Sequence, residues 1–393
     1  MAEKTTSRET DERFLHRALE LAREGIGLTS PNPCVGAVIV NDQGDVLGSG
    51  SHTYDGVKHA EILALEQAGE RARGATLYLN LEPCSHRGRT APCTDAVIAA
   101  GIRRVVASMQ DPNPEVSGRG FSRLRDAGIA VASGILEGAA RPLNEAFAKY
   151  ISSHAPLVTL KAAMTLDGKI APPPGISRSQ GPGSKTQNWI TSEPARAHVQ
   201  ELRHQNDALL VGVGTVIADD PLLTDRSGRL RRRPLLRVIL DSRLRLPLQS
   251  RLVQTAGHDV LVLCSFAEEK RKKELQDHGL RVEQIPAVTA DGRPDLGAVI
   301  ETLGRMEITS LMIEGGATVN WTALAAGIVD KVFLYYAPKI LAGSNSIPLA
   351  SGDGFRGLSD AAYVKAFRLH RFGEDFAVEG HLRDPYEPVG VRT

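Results

Sequence analysis

The sequence predicts two α/β domains in tandem, on three observations. The chain has 393 residues, beyond the size at which one hydrophobic core stops growing, and domains of about 100 to 200 residues make two the expected count. Apolar periodicity alternates between helix and strand spacing through both halves. Between residues 141 and 156 that rhythm pauses and then resumes with a strand, which puts the junction near 148–155 and divides the chain into 1–148 and 149–393.

In the first half, residues 11–24 carry Phe14, Leu15, Ala18, Leu19, Leu21 and Ala22 at helical spacing, and Gly25-Ile26-Gly27 ends that helix. CVGAVIV (34–40) and DVLGSGSH (45–52) flank a polar, glycine-containing turn and predict a β-hairpin. HAEILALEQAG (59–69), ATLYLNLEPC (75–84), CTDAVIAAG (93–101) and RRVVASMQD (103–111) then alternate helix, strand, helix, strand, the rhythm of a layered α/β domain. The second half predicts strands near 156–164, 208–213, 235–241, 259–264, 280–285, 309–314 and 331–336, and with them a largely parallel sheet. Residues 171–186, APPPGISRSQGPGSKT, are rich in Pro, Gly and Ser and predict an exposed, mobile loop.

Composition narrows the chemistry. With 42% hydrophobic and 24% charged residues the chain reads as an ordinary globular protein rather than a disordered one. Lys+Arg 47 against Asp+Glu 46 leaves a formal charge of +1, no field to draw the chain onto nucleic acid or an anionic membrane, so a small-molecule partner is expected. The opening MAEKTTSRETDERF lacks an apolar stretch, and no later run approaches the ~20 apolar residues needed to cross a bilayer; the expected location is cytoplasmic. Four cysteines are too few for a disulfide framework, and a spaced pair in a reducing compartment reads as metal-binding.

That pair has company. His59-Ala60-Glu61 opens an expected helix, Pro83-Cys84 is expected to close a strand, and Cys93 starts another helix. One imidazole and two thiolates leave a fourth zinc position open for water, as in a catalytic site, and zinc lowers the pKa of such a water to about 7. Glu61, two residues beyond the first ligand, can take the water proton and deliver it to a departing amino group, the H-x-E and P-C arrangement of zinc deaminases. One zinc per chain is expected, on His59, Cys84 and Cys93. Cys34 and Cys264 sit inside apolar runs and read as core residues.

TSPNPCVGAVIV (29–40), GSGSHTYDGVKHAE (48–61) and NLEPCSHRGRTAPC (80–93) resemble the riboflavin-biosynthesis deaminase-reductase family. Most zinc deaminases space the cysteines as C-x-x-C, whereas eight residues separate Cys84 from Cys93, and PCSHRGRTAPC is similar to that family's own signature with Ala91 in place of a common proline. The resemblance implies a cytidine-deaminase-like domain of αβα layers. It also implies substrate contacts at Asn32, through its amide, and at His52, beside the zinc.

In the second half, GVGT (212–215) and EGGAT (314–318) follow expected strands and precede helical stretches, where backbone N–H groups can receive phosphate. Neither is G-x-G-x-x-G, and glycine at a strand end is commonly turn chemistry alone. KAAMTLDGKIA (161–171), NWITSEPARAHVQELRHQNDALLVGVGTVIADDPLLTDR (188–226) and LMIEGGATVN (311–320) resemble the family's reductase domain, which is similar to dihydrofolate reductase. By that resemblance Ala163, Trp189, Thr215, Asp219, Ser242, Gly316, Ala317, Thr318 and Val319 would contact NADPH. Arg203, Leu223, Arg226 and Glu314 would contact a phosphorylated pyrimidine substrate. Lys161 and Asp219 would guide the proton that accompanies hydride transfer, although Ala-Asp-Asp-Pro also reads as a turn and Lys161 could reach solvent. Arg243 and Arg245 could hold a 2′-phosphate or belong to a solvated loop. Gln187 stands where the family has a small hydroxyl residue, which puts a cofactor contact there in doubt.

Two rival functions compete with this reading. A tRNA deaminase with an accessory domain would use RSGRLRRRP (226–234) as a docking loop, but that run lacks interleaved aromatics and reads as a solvated loop. A binding module with structural zinc would need a fourth protein ligand, which the motifs do not offer. Neither a nucleic-acid nor a membrane partner is expected; a homo-oligomer stays open.

Overall fold

The computed structural model describes residues 2–87, 90–173, 189–288 and 292–387. The described residues divide into two compact bodies, one of residues 2–153 with Leu230–Arg233, the other of His154–Arg229 with Pro234–Glu387.

The first body runs α1 (Ala2–Glu24), β1 (Gly36–Val40), β2 (Val46–Ser51), α2 (Ala60–Ala68), β3 (Thr76–Leu79), α3 (Cys93–Ala99), β4 (Arg104–Ala107), α4 (Arg119–Asp126), β5 (Ala130–Ser133) and α5 (Glu137–Ser153). The strands form one sheet in the order β2-β1-β3-β4-β5. β1 is antiparallel to both neighbours, and β3, β4 and β5 are parallel. Strand side chains alternate between faces, and the alternation builds two cores. Ala37, Ile39, Leu77, Leu79, Val105 and Ala107 pack against Ala60, Ala64, Val97 and Leu124 of α2 to α4. Val38, Val40, Tyr78 and Val106 pack against Phe14, Leu15, Ala18 and Leu21 of α1. The expected α/β/α layering is therefore present.

Three local differences have physical reasons. α1 begins well before residue 11. β3 ends at Leu79 rather than Cys84, because Asn80 turns its amide to Cys34 and Gly36 and the chain leaves the sheet. The quiet stretch after residue 141 is not irregular but lies in α5, a helix kinked at Asn144 with Pro142 inside it, and that proline obscured the periodicity.

The second body comprises β6 (Leu157–Thr165), β7 (Lys169–Ala171), α6 (Glu193–Gln205), β8 (Ala208–Gly212), α7 (Val213–Asp219), β9 (Leu236–Leu240), α8 (Arg251–Gln254), β10 (Val260–Cys264), α9 (Glu269–Asp277), β11 (Arg281–Gln284), α10 (Leu296–Arg305), β12 (Ser310–Ile313), α11 (Ala317–Ala325), β13 (Lys331–Ala337), β14 (Ile347–Pro348), β15 (Lys365–Phe372) and β16 (Asp375–His381). Nine strands make one sheet, β11-β10-β9-β8-β12-β6-β13-β16-β15. It is parallel as far as β13, as expected, and finishes with the antiparallel β15–β16 hairpin, whose exposed outer strand gave no burial pattern to read. α6 to α9 cover one face through Val199, Leu202, Leu252 and Leu275, and α10 and α11 the other through Val299, Leu303 and Ala323. Of the Pro/Gly-rich stretch 171–186, residues 174–186 lie outside the described residues, as does Gln187.

Candidate active sites

In the first body the three expected ligands converge from three segments. His59 is the residue before α2, with extended backbone (φ −73°, ψ 157°) and a carbonyl that accepts from Ile62 and Leu63. α2 can lie close on the sheet because β2 carries glycines: a Cβ on Gly48 would stand 2.2 Å from Ala64 O, and one on Gly50 2.3 Å from Ala60 O. Cys93 begins α3, whose first backbone N–H groups reach Cys84 Sγ at 3.4 Å and Cys84 O at 3.2 Å. Cys84 lies on the loop between β3 and α3.

The donor set fits zinc. Tetrahedral bonds of about 2.0–2.3 Å would hold nitrogen and sulfur ligands roughly 3.6 Å apart. His59 Nδ1 lies 3.1 Å from Cys93 Sγ and 3.5 Å from Cys84 Sγ, and all three donors fall within 4.8 Å of one another. A hydrogen bond from the Cys93 thiol, with others from His59, holds Cys84 down at about 4, and the Cys93 thiol that gives this bond is pushed up. His59 is raised by its bond to Cys84. Glu61, in the first turn of α2 and buried against Cys93, is pushed up by burial and then by the Cys84 charge to about 7. A carboxyl near neutrality can both take and give a proton.

Asn32 and His52 meet beside this centre. The His52 ring stands edge-on to that of His59, centroids 5.2 Å apart. His52 Nδ1 is 3.0 Å from Lys58 O, which can only accept, so Nδ1 carries the proton and Nε2 accepts from Asn32 Nδ2 at 3.0 Å. The Asn32 amide oxygen is thereby left for another donor.

In the second body the expected residues fall into two groups. Ser242 follows β9, Thr215 lies in the first turn of α7, directly after β8, and Gly316, Ala317, Thr318 and Val319 follow β12. These three strands are consecutive and parallel, so their carboxyl ends stand side by side, where open α/β sheets bind nucleotides. The two glycine turns abut: a Cβ on Gly212 would lie 2.9 Å from Val319 Cγ2, and one on Gly316 3.8 Å from Thr215 Oγ1. Glycine at both turns lets them approach this closely, and the backbone N–H groups at the start of α11 can receive the phosphates of a dinucleotide. Ala163 is on β6, the strand next to β12. Trp189 is exposed with the Arg196 guanidinium 5.1 Å over its ring.

The second group is a buried ion cluster. Arg203 donates through Nε and Nη2 to both Glu314 oxygens at 2.8 and 3.0 Å and through Nη1 to Thr224 O at 3.0 Å. Lys161 Nζ is 3.5 Å from Glu314, so it ends in the cluster rather than in solvent. Burial alone would raise the Glu314 carboxyl, but Lys161 and Arg203 outweigh it and hold Glu314 at about 2. Leu223 is buried with φ 57°, Arg226 is exposed, and Asp219 closes α7 at an exposed position, one turn beyond Thr215 on the same helix. Arg245 reaches Asp241 at 3.5 Å and Arg243 lies 5.8 Å over Phe266.

Residues 8–109 match the zinc-binding region of cytidine and deoxycytidylate deaminases, and residues 156–378 match the RibD C-terminal domain. Riboflavin biosynthesis protein RibD of Aquifex aeolicus is 42% identical over 94% of this chain and 98% of its own length. That of Escherichia coli is 42% identical over 93% and 97%. The chain belongs to the RibD family. Among solved structures, RibD of Acinetobacter baumannii is 36% identical with a TM-score of 0.79, covering 95% of this chain and 99% of its own. A Thermotoga maritima diaminohydroxyphosphoribosylaminopyrimidine deaminase/5-amino-6-(5-phosphoribosylamino)uracil reductase is 34% identical with a TM-score of 0.78 and the same coverage. As a RibD family member the protein is a bifunctional deaminase and reductase of riboflavin biosynthesis that uses zinc in one domain and NADPH in the other.

The sites of this RibD protein also rest on residues that sequence reasoning missed. Asn80 and Asn144, both buried, clamp Cys34: Asn144 Oδ1 accepts from Cys34 N at 2.8 Å, and both side-chain amides donate to Cys34 O, at 2.9 Å from Asn80 and 3.1 Å from Asn144. Glu82 accepts from the backbone of Asp111, Gly118 and Phe121, which ties the approach to Cys84 onto the start of α4. In the reductase domain Tyr335 is fully buried, with its hydroxyl 2.6 Å from His198 Nδ1 and its ring 5.9 Å from Lys161 Nζ. The positions of Asn80 and Glu82 inside NLEPC were the available signal; Asn144, Tyr335 and His198 depend on register between distant segments. Arginines 232 and 233, expected in a solvated loop, belong instead to the first body and pack on its 27–30 turn.

Proposed function

We propose that residues 1–148 deaminate 2,5-diamino-6-(5-phosphoribosylamino)pyrimidin-4-one and that residues 149–393 reduce the ribosyl side chain of the product to ribityl, the activities named for the Thermotoga maritima neighbour. The observation that carries the reading is the convergence of His59, Cys84 and Cys93 within 4.8 Å beside the buried carboxyl of Glu61. Zinc, when bound, supplies a Lewis acid that makes a water nucleophilic near neutral pH. Glu61 accepts the proton of the attacking water and hands it to the amino group, which leaves as ammonia while the ring carbon gains an oxygen. Asn32, fixed by His52, receives a hydrogen bond from the pyrimidine.

In the reductase, NADPH supplies the hydride, which goes to C1 of the opened ribosylamino group while a proton goes to its nitrogen. Gly316, Ala317, Thr318, Val319, Thr215 and Ser242 hold the cofactor along three strand ends, with Ala163 and Trp189 beside it. Lys161, charged and paired with Glu314, delivers the proton; the exposed end of α7 suits Asp219 to cofactor contact better than to that task. Arg203 fixes Glu314 and leaves Arg226 to meet the substrate phosphate, with Leu223 beside it.

No helix among the described residues is long and apolar enough to cross a membrane. We place the enzyme in the cytoplasm, acting on a small phosphorylated pyrimidine without nucleic-acid or membrane partners. Incubating the purified protein with the diaminopyrimidine ribotide, with and without NADPH, tests this by product mass. The deaminated compound alone should form without NADPH and its ribityl form with it; unchanged substrate in both arms would overturn the assignment.

A further inference from the structure

The basic run that the deaminase-reductase reading leaves without a task is the one at Leu230–Arg233, which is counted with the first body. Arg232 makes four contacts there. Its backbone N–H donates to Gly27 O at 2.9 Å, its Nη1 to Ser30 O at 2.8 Å, and its Nε lies 3.4 Å from Asp55 Oδ1. Its guanidinium carbon lies over the Tyr54 ring, 3.6 Å from the centroid. Arg233 Nη2 adds a bond to Ser30 Oγ at 3.0 Å.

These contacts grip two loops at once. Tyr54 N donates to Leu28 O at 3.0 Å, which ties the 52–55 segment to the 27–32 turn, and Asn32 N donates to Thr29 O at 2.9 Å within that turn. The same two segments carry Asn32 and His52, whose 3.0 Å contact fixes the Asn32 amide beside the metal ligands. Arg232 spans both: its bonds to Gly27 O and Ser30 O hold the Asn32 side, and its stacking on Tyr54 with the Asp55 contact holds the His52 side. A planar guanidinium can do both at once, and an ammonium cannot.

We propose that Arg232 is a positioning residue for deamination, holding the 27–32 turn against the 52–55 segment so that the Asn32 amide oxygen stays aimed at the bound pyrimidine. It rests on the reading of Asn32 as a substrate contact. Misplacement of a contact by about an ångström can cost up to about a hundredfold in rate, and a loop that is loosened rather than removed should cost about tenfold.

The test is a double-mutant cycle in the full-length, zinc-loaded protein, with deaminase kcat and KM, zinc content and NADPH-dependent reduction of the already deaminated substrate measured in each variant. Arg232→Ala should lower deaminase kcat/KM about tenfold, mostly through KM, with zinc and reduction unchanged. Arg232→Lys should recover only part of the loss. In an Asn32→Ala background, Arg232→Ala should cost nothing further. Equal losses in both backgrounds, or no loss from Arg232→Ala where Asn32→Ala is impaired, would overturn the positioning role. Unimpaired Asn32→Ala would instead remove the substrate contact on which it rests. If Arg232→Ala fails to fold, Tyr54→Leu, which removes only the stacking face, is read by the same cycle: a loss that disappears with Asn32 supports the role, and one that adds to it refutes it.

Discussion

In the deaminase domain the three ligands and the proton carrier come from one helix start, one loop and a second helix start, and their donor atoms crowd within 4.8 Å. In the reductase domain one group of candidate residues follows the carboxyl ends of three neighbouring strands, and another, Arg203 of α6, Lys161 of β6 and Glu314, is committed to one ion cluster. The contrast separates two ways of building a site. A metal centre needs few residues at fixed short distances, so one lost side chain empties it. A cofactor edge draws on backbone geometry and a charged cluster, so single losses should be graded and should divide between binding and stability.

The largest expected effect is therefore at the zinc ligands. Cys84→Ser or Cys93→Ser should reduce the metal content from about one equivalent toward none and abolish deamination, while NADPH-dependent reduction of the deaminated substrate continues; metal analysis after dialysis and the two assays check this. Next come the two arginines. Arg226→Ala should raise the reductase KM about tenfold with kcat nearly unchanged, and the effect should vanish with a dephosphorylated substrate. Arg203→Ala should behave differently. It leaves Glu314 buried with one cation fewer, so thermal unfolding of the reductase domain should come at lower temperature, with about 3 kcal/mol lost as for other broken buried pairs.

The smallest expected effect concerns Asp111. Burial, with the charge of Glu82 nearby, pushes its carboxyl from an ordinary 3.8 to about 7. A raised acid contributes stability that is fully present below about 3.8 and lost as pH rises through about 7. Asp111→Asn keeps an oxygen for the Asn113 N–H, so it should match the parent in acid and melt at a higher temperature than the parent at pH 8. Equal melting temperatures at pH 8 would place the charge in a better-solvated setting than its burial implies.

The same contrast explains what the sequence disclosed. His59, Glu61, Cys84 and Cys93 were legible because the chemistry needs those residue types and local chain direction brings them together. The parallel strands β6 and β8 to β13 and the first four strands of the deaminase domain were legible as apolar runs, since buried strands are apolar throughout, whereas β5 and the β15–β16 hairpin were not. The Asn80–Cys34–Asn144 clamp was not, because it joins residues 110 positions apart through a kinked helix. Nor was the burial of Lys161, whose environment depends on β6 lying next to β12 in the sheet. The docking of Arg232 was hidden for another reason: a run of arginines carries no periodicity, and the groups that give it a place, among them Tyr54 and the carbonyls of Gly27 and Ser30, lie far away in the sequence.

One measurement bears most directly on the two-site enzyme: both activities assayed separately in zinc-replete Glu61→Gln. Glu61 is not a ligand, so zinc should remain at about one equivalent. Deamination should fall by a factor of about 100 to 10,000, the usual loss for a positioned acid/base, since one carboxyl serves both proton steps. Reduction of the already deaminated substrate should proceed at the parent rate. If Glu61→Gln silenced both reactions in a folded, zinc-replete protein, the two chemistries would have to share one site.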